Sequence, residues 1–299
     1  MIDVYTLGEA LGVVSSGRVR HESEARLDLS GPEFTLAVAL ARLGHRCAYL
    51  GKVGSDELGA RVLTTLRGEG VDVADTRVTD GVPTGLLLRE ARVGREPLIT
   101  HYRAGSAGST LSPGTVPIDR IGAARMLHVT GVTAALGRDP HDAVLAAVSA
   151  AKSAEVPISF AVEYRPELWA SVRDAEQVLS ELACQSHLLF VRQDELDLVK
   201  PALTPEREVV VTRGAKGASV RADRMRHDVP GPQAPVVDTG GAGDAFVAGY
   251  LSAALDGLTP PERLERGTRL SAAALSCASD WQGLPTRDEL QPLSSRWSG

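Results

Sequence analysis

The run Asp238-Thr239-Gly240-Gly241-Ala242-Gly243-Asp244-Ala245-Phe246 decides how this chain is read. An apolar segment, Ala234 to Val237, precedes it and reads as a strand. Phe246, Tyr250, Leu251, Ala254 and Leu255 follow at helical spacing. The pattern predicts a glycine-rich turn that opens onto a helix N-terminus. Backbone N–H groups there have no intrahelical partner, and the helix dipole adds partial positive charge. Glycines let such a backbone approach an anion with no Cβ in the way. Gly241, Ala242 and Gly243 are therefore candidates for a cradle around a transferring phosphoryl group. Asp244 lies beside it, where a carboxylate can take the proton of an attacking hydroxyl. The plainer alternative is a tight turn with Asp244 as the helix N-cap, a role that suits aspartate. The length of the string and its place late in the chain favour the chemical reading. No Lys-Ser/Thr pair follows, so it is not a Walker A loop, and it does not sit as a dinucleotide loop after a first strand.

The rest of the chain alternates strands and helices. Ile2–Leu7, Cys47–Val53, Met126–Thr130, Val156–Val162, Leu188–Val191 and Val209–Thr212 read as buried strands. Thr35–Leu43 reads as a helix stopped by Gly44, a favoured C′ residue. Leu58, Val62, Leu63 and Leu66 mark another helix, and Ala143–Ala154 a third. Such alternation predicts a doubly wound α/β sandwich with a mainly parallel central sheet. Two regions break the rhythm. Gly17–Leu29 is polar, and Thr84–Arg103 reads as a hairpin of GLLLRE and PLITHYR around Val93-Gly94-Arg95. Both lack the crossover helices of a doubly wound core. They predict a small β-sheet lid, from segments of about 12–30 and 82–105, on one domain spanning residues 1–299.

Composition narrows the partners. The chain has 299 residues, 43% hydrophobic and 23% charged, and a formal net charge of −6. Its basic residues are scattered, which argues against nucleic acid. No apolar run reaches membrane-spanning length and no secretory leader is evident, so no membrane partner and a cytoplasmic location are expected. Cys47, Cys184 and Cys277 lie far apart and fit reduced thiols. The seven histidines show no zinc-like spacing.

Several motifs together resemble the ribokinase-like (PfkB-type) carbohydrate kinases. They are the D-T-x-G-A-G-D string, Ser30-Gly31 running into Leu36–Gly44, Gly51-Lys52-Val53-Gly54-Ser55-Asp56-Glu57-Leu58-Gly59, and Val211-Thr212-Arg213-Gly214-Ala215-Lys216-Gly217-Ala218. Within that family the chain is similar to the 2-keto-3-deoxygluconate kinases. Gly8-Glu9-Ala10-Leu11, Tyr102–Ser109 and Tyr164-Arg165-Pro166-Glu167-Leu168-Trp169 carry this likeness. The resemblance implies an ATP-dependent kinase with Asp244 as general base, ATP near Thr212, Gly214, Gly217, Gly241 and Gly243, and Mg²⁺ bridging the β- and γ-phosphates. It implies a sugar or sugar acid held by Gly31, Thr35, Arg103, Arg165 and Asp244, Glu195 reaching the metal through water, a K⁺ site near the Asp238 loop in some relatives, and a homodimer through the lid. Two guanidinium groups converging on one pocket would repel unless an anion bridged them, which favours an acid substrate.

The chain also departs from the family pattern. Thr35 replaces an asparagine and Ser30 a glycine, while Ala161 and Glu163 replace D-x-N. Arg192 replaces the asparagine of N-x-x-E, leaving Glu195; Glu163 is expected to pair with Arg192. The competing readings are a catalytically silent sugar- or nucleotide-binding relative and a kinase for a neutral sugar such as fructose or ribose. An NAD-dependent oxidoreductase fits poorly, because Gly8-Glu9-Ala10 after the first strand is no dinucleotide loop.

Overall fold

In the computed structural model, residues 1–290 are described apart from Val93, Glu96 and Asp223. Val93, in the expected hairpin loop, thus lies outside the described residues. The strands of the main sheet are β1 (Val4–Leu7), β4 (Cys47–Leu50), β9 (Leu127–Thr130), β10 (Ile158–Ala161), β11 (Leu188–Arg192), β12 (Glu208–Thr212), β13 (Ala218–Ala222) and β14 (Met225–Val229). They are ordered β14-β13-β12-β11-β10-β9-β1-β4. From β4 to β12 the pairing is parallel; β12, β13 and β14 finish one edge as an antiparallel meander. A second sheet holds β2 (Leu11–Ser16), β3 (Arg26–Ser30), β7 (Leu86–Glu90) and β8 (Leu98–Tyr102), ordered β3-β2-β7-β8. A small parallel pair joins β5 (Lys52–Gly54) to β6 (Arg77–Thr79).

Helices cover both faces of the main sheet because its strands are apolar on both sides. On one face lie α1 (Pro32–Arg42), α2 (Glu57–Gly68), α7 (Ala242–Leu255) and α8 (Pro260–Leu275), with Phe34, Leu40, Leu66, Phe246, Tyr250 and Leu270 in a shared core. The other core gathers Tyr5, Leu7, Phe160 and Leu189 with α3 (Ile118–Gly122), α5 (Arg138–Ser153) and α6 (Val172–Gln185). The short α4 (Gly131–Ala134) follows β9 directly, capped by the Thr130 hydroxyl. α7 and α8 pack tightly: a Cβ on Gly249 would meet the Cα of Gly267 at 2.9 Å.

The chain enters at β1, passes to β4 on one side, then returns to β9 on the other side. The strand order therefore reverses between β1 and β9. Open α/β sheets bind ligands at the carboxyl ends of strands beside such a reversal. Glu9 follows β1, Val132 follows β9 and Arg165 follows β10, so three loops converge there.

Two expectations need correction. Ala234–Val237 is not a strand: Pro235 interrupts it, and Val236 and Val237 are exposed. Cys47–Val53 is two strands in different sheets, broken at Gly51. The segment of about 12–30 supplies two strands of the second sheet, β2 and β3, paired antiparallel. The helix after the glycine-rich turn begins at Ala242, so Asp244 is its third residue and the alternative of Asp244 as N-cap does not hold.

Candidate active site

Gly241 is the N-cap of α7, with φ of 68°, a conformation that favours glycine. A Cβ there would collide with the backbone of Asp280. Gly243, at the second helical position, is different: an added Cβ meets nothing within 4 Å. The turn separates two cavities. The first, of about 360 Å³, is lined by Gly31, Arg103, Arg165, Gly241 and Asp244 among others. The second, of about 380 Å³, is lined by Thr212, Gly214, Gly217, Ala242 and Gly243, with Ala218, Phe246 and Leu275 as apolar walls. Thr239 belongs to both, so the turn is the shared wall. The residues expected to hold ATP divide accordingly, with Gly241 facing the first cavity and the others the second.

Backbone geometry shapes both cavities. Gly217 has φ of 91° and would drive a side chain into the Val229 carbonyl; Gly214 has φ of 56°. Gly31 caps α1 with φ of 140°, and a Cβ would run into the Glu9 carbonyl. Pro32 then starts the helix, as suits its missing N–H.

Asp244 has a carboxyl neighbour, Glu163. Burial pushes the Asp244 carboxyl up; a hydrogen bond from Glu163 and the charge of Arg165 oppose this. Burial and then the Asp244 charge push Glu163 well above the ordinary glutamate range, against Arg165. Both carboxyls are thus pushed upward, Glu163 the more strongly, because two buried acids side by side resist carrying two charges. Glu163 is held with φ of 40°, unusual for a residue with a Cβ. It does not pair with Arg192, as the sequence led us to expect; its cationic neighbour is Arg165, at 3.8 Å. Arg192 instead meets Asp194 at 3.3 Å and Glu195 at 3.0 Å.

Glu195 is 1% exposed, and its carboxylate accepts the backbone N–H groups of Tyr164 at 2.7 Å and Arg192 at 2.8 Å. Both oxygens thus tie the loops after β10 and β11 together. Among the described residues no group of three or more His, Cys, Asp or Glu is placed to hold a metal. The Asp238 carboxylate, near which some relatives hold K⁺ by the resemblance, is engaged by the Arg89 guanidinium at 3.0 Å.

A family model described as pfkB family carbohydrate kinase matches residues 1–287. The chain belongs to this family. It is 34% identical to a 2-dehydro-3-deoxygluconokinase of Bacillus subtilis (strain 168), across 98% of this chain and 96% of that protein. A PfkB protein from Polaromonas sp. JS666 has a TM-score of 0.86 at 30% identity, over 97% and 99% of the two chains. A putative Ribokinase II from E. coli, solved with ATP and Mg²⁺, shares the fold with a TM-score of 0.89 at 22% identity, over 99% and 100%. The protein is a carbohydrate kinase with the ribokinase-like α/β fold, of a family that uses ATP.

Two expected substrate contacts of the kinase look different in three dimensions. Thr35 lies a turn further into α1, fully buried, and does not line the first cavity; its hydroxyl has no partner. Arg103 reaches the cavity but is committed to Glu9, at 2.6 Å. The Ser106 hydroxyl donates to the other oxygen of Glu9. Glu9 therefore offsets the Arg103 charge, while Arg165 has only the Glu163 carboxyl, pushed toward its neutral form, within ion-pair range. Arg165, about 38% exposed and 3.8 Å from Glu163, is the freer of the two.

The structure also adds residues that sequence reasoning missed. Arg89 and Asp280 line the first cavity, as does His101, whose pKa is lowered by burial and then by Arg103. Glu33 lies fully buried near Asp244 and accepts the hydroxyls of Thr130 at 2.6 Å and Thr133 at 2.5 Å. Burial raises its pKa to about 7. None of these positions carries a motif: Arg89, His101 and Glu33 are single polar residues in apolar strands or a helix, and Asp280 lies in a bend after α8.

Proposed function

We propose that the kinase transfers the γ-phosphoryl group of ATP to a hydroxyl of a small sugar acid of the 2-keto-3-deoxygluconate type. The observation that carries this reading is the Gly241–Asp244 turn, which divides an apolar cavity from one lined by arginines. The second cavity suits a flat adenine between apolar walls, with phosphates directed at the N-terminus of α7. The sugar acid lies in the first cavity, its carboxylate toward Arg165. Asp244 takes the hydroxyl proton as the hydroxyl oxygen bonds to phosphorus and the bond to the bridging oxygen breaks, leaving ADP and a phosphorylated acid. Mg²⁺ bound with the phosphates would offset their charge; Arg192 lines the second cavity while paired with Asp194 and Glu195.

Leu87, Arg89, Ile99 and His101 bring the second sheet over the first cavity, which supports its role as a lid on a single domain. Leu27, Leu98, Ile99 and Tyr102 are exposed on the same sheet, which supports a homodimer through it. No described helix is long and apolar enough to cross a membrane, in keeping with a cytoplasmic small-molecule kinase. The test is turnover of ATP with 2-keto-3-deoxygluconate, gluconate-type acids, fructose, ribose and adenosine, with products identified by mass. A tenfold preference for a neutral sugar or nucleoside refutes the acid; no turnover with any of them refutes the activity.

A further inference from the structure

Arg89 is the feature that the kinase reading leaves unexplained. It projects from β7, in the second sheet, yet its partners belong to the core. Its guanidinium meets Asp238 at 3.0 Å and Asp280 at 2.8 Å, and its side chain is only 11% exposed. Asp238 opens the phosphoryl-binding turn, and its other oxygen accepts the Gly240 N–H at 2.9 Å. Asp280 is packed beneath the same turn: a Cβ on Gly240 would collide with its carboxylate and lie 3.0 Å from Arg89, and one on Gly241 would collide with its backbone. The Ser30 hydroxyl, at the end of β3, donates to the remaining Asp280 oxygen at 2.5 Å. Two strands of the second sheet thus reach one carboxylate that supports the turn.

The charges add a second argument. Asp238 and Asp280 place two negative charges beside a turn that must receive a phosphoryl group. Both are largely enclosed, with side chains 16% and 7% exposed, so water screens them poorly. One guanidinium bonded to both shields the turn from them. A fork with several donors can meet two carboxylates at once, which an ammonium does less well.

We propose that Arg89 is a positioning residue for phosphoryl transfer: it latches the second sheet to Asp238 and Asp280, fixing the Gly240–Gly243 turn and neutralising its acidic surround. The inference rests on the kinase reading of that turn. It predicts coupling between the second sheet and the phosphoryl site, since the latch forms only when β7 is seated over the first cavity.

The experiment compares wild type with Arg89→Met, Arg89→Lys, Asp280→Asn and the Arg89→Met/Asp280→Asn double variant. Arg89→Met is expected to lower kcat by about 10- to 100-fold, while ATP affinity in the apolar cavity changes less than about threefold. Arg89→Lys should fall between wild type and Arg89→Met. The double variant should recover at least about fivefold of the lost kcat, because it removes an uncompensated carboxylate along with its partner. Unchanged kcat in Arg89→Met, or a double variant worse than both singles, overturns the proposal. Hydrogen exchange provides a readout independent of turnover. Amides of residues 238–243 and of β7 should exchange at least about tenfold faster in both Arg89 variants, with other core amides unchanged. Unchanged exchange at the turn refutes the latch even if no substrate is turned over. Faster exchange at the turn, without turnover in wild type, supports the latch and faults the proposed reaction instead.

Discussion

Replacing Gly243 by alanine should push stability and activity in opposite directions. Gly243 is the second residue of α7, and a Cβ built on it finds no protein atom within 4 Å. Glycine costs a helix roughly 0.5–1 kcal/mol relative to alanine, chiefly through backbone entropy. The variant should therefore be as stable as wild type or more stable by up to about 1 kcal/mol. That corresponds to a melting temperature unchanged or raised by about 2 °C. The same methyl projects from the wall of the second cavity, at the helix end expected to receive the phosphates. Displacing one backbone N–H donor from a developing charge costs about 10²-fold or more in kcat. Gly243→Val should abolish turnover with the fold retained. Gly241→Ala is the contrast, because φ of 68° and the Asp280 backbone leave no room for a Cβ, and it should lose stability as well as activity. Thermal melts by circular dichroism alongside ATP turnover decide the matter. A Gly243→Ala enzyme with wild-type kcat and a normal melt would show that the turn does not cradle the transferring group.

Asp244→Asn keeps the shape of the base but cannot take the proton, so kcat should fall by roughly 10²–10⁴-fold while ATP still binds; near-normal turnover removes Asp244 from its role. Arg165→Ala should reduce kcat/KM for a sugar acid by about tenfold or more and spare a neutral sugar, as measured on matched pairs; equal losses would argue against a carboxylate contact. Glu33 has its pKa raised from 4.5 to about 7 by burial, so the folded state holds its proton more tightly than the unfolded chain. The stability from this group is complete below pH 4.5 and is lost as pH rises through about 7, in total roughly 3 kcal/mol. Glu33→Gln should remove that dependence, so urea unfolding from pH 5 to pH 8 should increasingly favour the variant over wild type; identical pH profiles would contradict it.

The arginines show how far sequence likeness carries. Matched segments identified Arg103 and Arg165 as residues of one cavity, and both line it. The segments could not show that Glu9, ninety-four positions away, neutralises the first of them. Glu9 lies in the opening segment that carried the likeness, yet its partner depends on how β1 and the loop after β8 meet in space.

Much of the kinase was legible locally. The doubly wound architecture follows from apolar strands alternating with amphipathic helices, since each element must bury its own apolar face. The turn at Gly240–Asp244 could be read because helix geometry, glycine conformation and carboxylate chemistry all act within a few residues. The hairpin of the second sheet was visible because alternation without a crossover helix admits few other folds. Tertiary structure alone decided the rest. Ala234–Val237 has strand composition but passes as irregular chain, because Pro235 removes a ladder donor from its middle. Thr35 and Gly31 share a motif, but one helical turn separates a cavity wall from a buried position. The neighbouring carboxyls of Glu163 and Asp244, and the Arg89 guanidinium between Asp238 and Asp280, join residues far apart in the chain. Electrostatic energy depends on distance and burial, and sequence separation specifies neither until the sheets have packed.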